Sequence, residues 1–202
     1  MNRPFSGPPA LEIHVPAGSA ALFAAVFQAG VTMQILSGTS LASFLASLPG
    51  FTADYVAEEV QTIFLDGTAI DNLETLIEGD NPVLALSAAM PGLAGAILRR
   101  NSFHAALRTT IAARPAEHHG PIVLTLKLFN SIARDRGADL LAGGISIDTR
   151  KLEDFFATHP SLLAETCHFH WQGESIAAAD LPQLLAGRKG TVQLKLRETT
   201  DV

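Results

Sequence analysis

The chain is poor in cysteine, in bases over its first half, and in long apolar runs. Its 202 residues hold one cysteine, Cys167, so no disulfide can form within the chain. A lone thiol is also what a reducing compartment permits, and the expected location is cytoplasmic. The most apolar stretch, Ala20 to Val31, is interrupted by Gln28 and Gly30 and is far shorter than a membrane span. Near Met90 a second apolar stretch is broken by Pro91-Gly92, and Met1 to Ala10 has no signal-type core. No membrane partner is therefore expected. Lys and Arg number 14 against 20 Asp and Glu, a formal charge of −6, which argues against nucleic-acid binding because neutralising phosphates needs clustered bases. Charged residues are only 17% of the chain while apolar ones reach 48%, a balance that favours a packed core over a disordered chain.

What charge there is lies unevenly. Up to residue 95 there is one base, Arg3, against nine acids (Glu12, Asp54, Glu58, Glu59, Asp66, Asp71, Glu74, Glu78 and Asp80). Residues 97–114 then carry Arg99, Arg100, Arg108 and Arg114 and no acid. An acidic front thus precedes a basic connector.

Periodicity supplies the elements. Leu11 to Val15 alternates apolar and polar as a half-buried strand does, Ala20 to Ala29 reads as a short helical segment, and Val31, Met33 and Ile35 alternate again. Thr39 or Ser40 can cap a helix carrying Leu41, Phe44, Leu45 and Leu48, stopped by Pro49-Gly50. Val60 to Leu65 and Val83 to Leu86 read as strands, closed by Asp66-Gly67 and preceded by the turn Glu78 to Pro82. Met90 to Gly95 reads as a glycine-containing loop and Ile97 to Ala113 as a helix, ended at Arg114-Pro115.

The order then restarts. Val123 to Leu128 is a strand, the next segment ends at Gly143-Gly144, and Ile145 and Ile147 alternate with polar residues. Thr149 can cap a helix with Leu152, Phe155 and Phe156. Cys167 to Trp171 is a strand closed by Gln172-Gly173, and a turn at Gly187 to Gly190 leads into Thr191 to Leu196. Leu41, Phe44 and Pro49 match Leu152, Phe155 and Pro160 at a constant offset, and Asp66-Gly67 matches Gln172-Gly173. This reads as an internal duplication. The expected class is α+β, with units over 11–90 and 121–198 joined by loop, basic helix and linker over 91–120.

Several pieces resemble the MoaD/ThiS sulfur-carrier branch of the ubiquitin-like β-grasp proteins. VLTLKLFNSI (Val123 to Ile132) is similar to that family's opening strand and helical segment, FLDGTAI (Phe64 to Ile70) and WQGESI (Trp171 to Ile176) to its strand-turn, and IEGDNPV (Ile77 to Val83) to its last turn. The resemblance implies two β-grasp units in tandem, with a link to sulfur or molybdopterin-type metabolism. It also implies a C-terminal Gly-Gly, which carriers of this family adenylate and convert to a thiocarboxylate. Here the corresponding residues are Arg197 to Val202, with no glycine pair, so sulfur carriage by the intact chain is not expected. A carrier released by proteolysis after the first unit, near Gly95, is an alternative.

The expected function is accordingly that of a non-enzymatic binding protein whose partner is a protein with a basic surface. No catalytic residue, cofactor or metal is assigned. A second reading places a phosphate-type anion near the connector, held by Gly92, Gly95, Arg99, Arg100, His104 and Arg108. Glycines before a helix start expose backbone N–H groups, and Arg100, His104 and Arg108 share one helix face. His168 and His170 are two apart on a strand and face one way. With His118-His119 they could approach a metal, but zinc needs three or four converging ligands, and a surface pair is the reading adopted. Cys167, alternating with Phe169 and Trp171, is expected to be buried and inert.

Overall fold

The computed structural model describes residues 7–103, 120–163 and 167–199. Along the chain run β1 (Ala10–Pro16), a 3-10 turn at 20–25, α1 (Val26–Ala29), β2 (Val31–Leu36), β3 (Thr39–Ser40), α2 (Leu41–Ser47), α3 (Ala53–Glu58), β4 (Thr62–Leu65), β5 (Thr68–Ala69), β6 (Leu76–Ile77), β7 (Val83–Ser87) and α4 (Gly92–Leu98). After the connector come β8 (Pro121–Phe129), α5 (Asn130–Gly143), β9 (Ile145–Asp148), α6 (Thr149–Thr158), β10 (His168–Trp171), β11 (Glu174–Ile176), α7 (Leu181–Leu185) and β12 (Thr191–Thr199). The class is α+β. Among the described residues no helix is long and apolar enough to cross a membrane.

Local chemistry accounts for the element ends. Ser40 caps α2 by accepting from the Ser43 amide at 3.2 Å, and Thr52 caps α3 through the Tyr55 amide. Asp148, rather than the expected Thr149, caps α6. Its carboxylate accepts from the amides of Arg150 and Lys151, while the Thr149 hydroxyl donates to the Gly190 carbonyl. Two hairpins turn on pairs with positive φ: Asp66 and Gly67 at 50° and 78°, Gln172 and Gly173 at 52° and 88°. Two successive left-handed residues give the tight turn whose twist matches the strands it joins, and glycine carries the second position without strain.

Among the described residues ten strands form one sheet, in the order β11-β10-β1-β12-β9-β2-β8-β7-β4-β5. From either edge inward the steps match. A hairpin (β11-β10 or β5-β4) is followed by an antiparallel step to β1 or β7 and a parallel step to β12 or β8. An antiparallel step to β9 or β2 completes each half. The halves meet at a single pair, Thr32 with Ser146. Each member of that pair stands two residues after a helix-ending glycine, Gly30 or Gly144. A local two-fold relation requires like residues to meet at the junction, and here they do.

Chain order does not follow these halves. β1 lies between β10 and β12, with Ile13 opposite Phe169 and Leu196. β8 lies between β2 and β7, with Leu126 opposite Val31 and Leu84. The opening strand of each sequence unit is thus seated in the other half, and the boundary expected at 91–120 does not divide the sheet.

One face of the sheet carries the core. Leu11, Ile13 and Val15 of β1, Val192 and Leu194 of β12, and Leu124, Leu126 and Leu128 of β8 are fully buried there. At roughly 1.5–3 kcal/mol for each large aliphatic side chain removed from water, these rows are a dominant favourable term. Helix α5 closes on the 20–25 turn where Gly137 stands: a Cβ there would lie 3.0 Å from the Ala24 Cβ. The opposite face of the strands bears Glu12, His14, Lys195, Thr32, Gln34, Thr125 and Lys127, all half-buried or exposed.

Candidate functional site

The connector differs from its expected form. Gly92 and Gly95 lie within α4, not in a loop ahead of a helix, and the Arg99 amide donates to the Gly95 carbonyl at 3.0 Å to close its last turn. Ile97 to Arg99, expected to open a helix, therefore close one, and a helix's carboxyl end presents carbonyls, which repel anions. Arg100 is half-buried, and its Nη1 donates to the carbonyls of Val56 at 3.1 Å and Val60 at 3.0 Å while its amide donates to Gln61. Desolvation holds its pKa below the usual arginine value. Its contacts tie the connector to the end of α3 and the approach to β4. His104 and Arg108, with the rest of the expected helix to Ala113, lie outside the described residues, as do His118 and His119.

On the uncovered face of the second half the strand order assembles a cluster that local pattern could not. His168 is paired with His14, and His170 with Glu12, across the β10-β1 step; Lys195 and Arg197 of β12 flank Glu12 and His14 on the other side. Glu12 Oε1 accepts from His14 Nε2 at 2.7 Å and from Arg197 Nε at 2.6 Å. The His14 hydrogen bond and then Arg197 hold the Glu12 carboxyl below its usual range, against a desolvation that raises it. The rings of His14 and His170 are 4.7 Å apart between centroids, and Ala10, Glu12, His14 and His170 border a shallow cavity of about 200 Å³. Among the described residues no group of three or more His, Cys, Asp and Glu is arranged to hold a metal ion. Phe169 and Trp171 point to the core, and Cys167 just before β10 is half-buried against it, more open than expected.

The outer part of the first half is acidic. Of the eight carboxylates between Asp54 and Asp80, six (Asp54, Glu58, Glu59, Asp66, Glu74 and Asp80) are exposed, and no Lys or Arg occurs in that span. Capping explains only part of this. Asp54 sits favourably in the first turn of α3, and Asp66 Oδ1 accepts from the Val83 amide, whereas Glu58 and Glu59 stand at the helix's carboxyl end, where the dipole disfavours them.

A larger cavity, about 480 Å³, lies where α4 folds back over the uncovered face beside β4, β7 and β8. Its walls include Phe64, Ala85, Met90 and Phe129, with Ser87 and Asn130 at one end. No protein-family model matches this chain, and no curated protein or solved structure is significantly similar to it.

Proposed function

We propose that this chain is a non-enzymatic interaction protein of β-grasp character that offers an acidic surface to a basic partner protein. The observation that carries the reading is the run from Asp54 to Asp80, eight carboxylates with no Lys or Arg within the span, six of them exposed. A surplus of like charge over one stretch of surface repels itself, so its placement is better accounted for by a partner than by stability. A field of one sign also accelerates encounter with a partner of the other and discourages like-charged competitors. The β-grasp component is supported by the two matched five-strand halves with their paired two-residue turns. The link to sulfur or molybdopterin-type metabolism rests on the sequence resemblance alone.

The test is affinity capture from the native host with the full chain as bait, repeated with Asp54→Lys/Glu58→Lys/Glu59→Lys on α3. A basic protein held by the parent, released by salt and lost with the triple variant is the expected result. A partner that binds the triple variant equally well would remove the acidic surface from the account.

A further inference from the structure

The cavity under α4 has a chemistry of its own, independent of the acidic surface. β7 and β8 are adjacent and parallel, and both end at it, in Ser87 and Phe129. In open sheets the carboxyl ends of parallel strands, followed by helix starts, are where ligands settle. The helix that starts here, α5, is 14 residues long, and Phe129 before it provides no side-chain cap. The first-turn N–H groups of α5 are therefore left without that partner.

The side chains nearby are also donors. Asn130, held at φ 55°, donates from Nδ2 to Ser87 Oγ at 2.8 Å. Thr62 is paired with Ser87 across the β4-β7 step and shares its face of the sheet. It is 1% exposed and lies behind the cavity lining, and among the described residues its hydroxyl has no hydrogen-bond partner. Ser87 Oγ, which accepts from Asn130, can still donate its own proton to an acceptor in the cavity.

The roof is fixed by packing. Gly95 approaches Met90 so closely that a Cβ would stand 1.8 Å from the Met90 carbonyl oxygen, so no larger residue fits between α4 and the segment that leads into it. Apart from the Ser87-Asn130 end the walls are apolar. The volume falls within the range that small organic ligands occupy.

We infer that this cavity binds a small, apolar carboxylic acid. Its body would lie against Phe64, Ala85, Met90 and Phe129, and its carboxylate would meet the start of α5 beside Asn130 and Ser87. The probe is octanoate, titrated calorimetrically into the full chain, with octylammonium and octanol as controls of equal length. Saturable octanoate binding, at least about tenfold tighter than either control, is expected from acceptor-only recognition. Ala85→Phe, which fills the cavity from the sheet, should weaken octanoate at least about tenfold. Asn130→Gly, which retains the positive φ but removes the carboxamide, should weaken it several-fold with the fold intact. The Asp54→Lys/Glu58→Lys/Glu59→Lys variant should bind octanoate as the parent does, which separates this site from the proposed partner surface. Absence of saturable binding, octylammonium binding as tightly as octanoate, or unchanged affinity in a folded Ala85→Phe would each overturn the inference. Should Ala85→Phe not fold, unchanged affinity in Asn130→Gly would overturn it equally.

Discussion

Replacing Ile13 with alanine separates a strand that merely begins the chain from one that is built into the far half. Ile13 is fully buried in β1, opposite Phe169 on β10 and Leu196 on β12. The substitution removes three carbons from a site closed on both sides by neighbouring strands, where collapse into the space is restricted. Large-to-small changes of this kind cost about 2–5 kcal/mol, and the upper half of that range is expected here. Against a typical total of about 5–15 kcal/mol the loss is readily measured by urea denaturation, as a lowered midpoint with unchanged slope. Leu36→Ala is the control, because Leu36 is 66% exposed and should change stability by less than about 0.5 kcal/mol. Native-state hydrogen exchange then locates the damage. Protection should fall first in 168–171 and 191–198, the strands that flank β1, and least in 83–87. A cost below about 1 kcal/mol, or loss of protection centred on β7, would refute the reasoning.

Other expectations follow from individual contacts. Arg100→Ala leaves the carbonyls of Val56 and Val60 without their donor and should cost about 2 kcal/mol in thermal or urea melts. Among the described residues the Tyr55 hydroxyl is buried without a hydrogen-bond partner, while its ring lies 3.8 Å from the Arg136 guanidinium. Tyr55→Phe retains the ring and should therefore leave stability unchanged or slightly raised. Glu12 has a depressed pKa, so its interactions with His14 and Arg197 stabilise the fold above its unfolded-state value and are lost as pH falls through the lower folded value. Urea melts of Glu12→Gln should thus show a deficit of up to about 1 kcal/mol at neutral pH that shrinks as acidification carries pH below the unfolded-state value and through the lower folded one. A deficit that grew with acidification would contradict the sign.

The sequence announced most of the local structure, because alternation and caps are local properties. The strands at 10–16, 31–36, 121–129 and 191–199, the turns at 66–67 and 172–173, and the helix capped by Ser40 all follow from neighbouring residues. Helix α3 went unread although its signal was present, in Thr52 before Ala53-Asp54 and the apolar pair Tyr55-Val56. α4 stands where a loop is expected because Gly92 and Gly95 count against a helix by propensity, and the close approach of Gly95 to Met90 that favours glycine shows only in the folded chain. Strand partners were out of reach altogether. Nothing near His14 indicates that it meets His168, more than 150 residues away, or that Ser87 and Asn130 share one cavity wall. The acidic surface lay between these cases. Its composition could be counted from the sequence, but the exposure of Asp54, Glu58 and Glu59 required the fold.

The exchange of opening strands places both the histidine cluster and the cavity under α4, and a cross-link tests it directly. His14 and His168 stand opposite each other on antiparallel strands. Either kind of antiparallel pair brings the Cα atoms to about 4.5–5.5 Å, within the range a disulfide spans. In a Cys167→Ser background, His14→Cys/His168→Cys should form an intramolecular disulfide under mild oxidation, visible as a two-hydrogen loss in intact mass and as a 14–168 linked peptide after digestion. An oxidised monomer with that linkage is the predicted result. Two thiols that stay free in the folded monomer would contradict the placement of β1 beside β10.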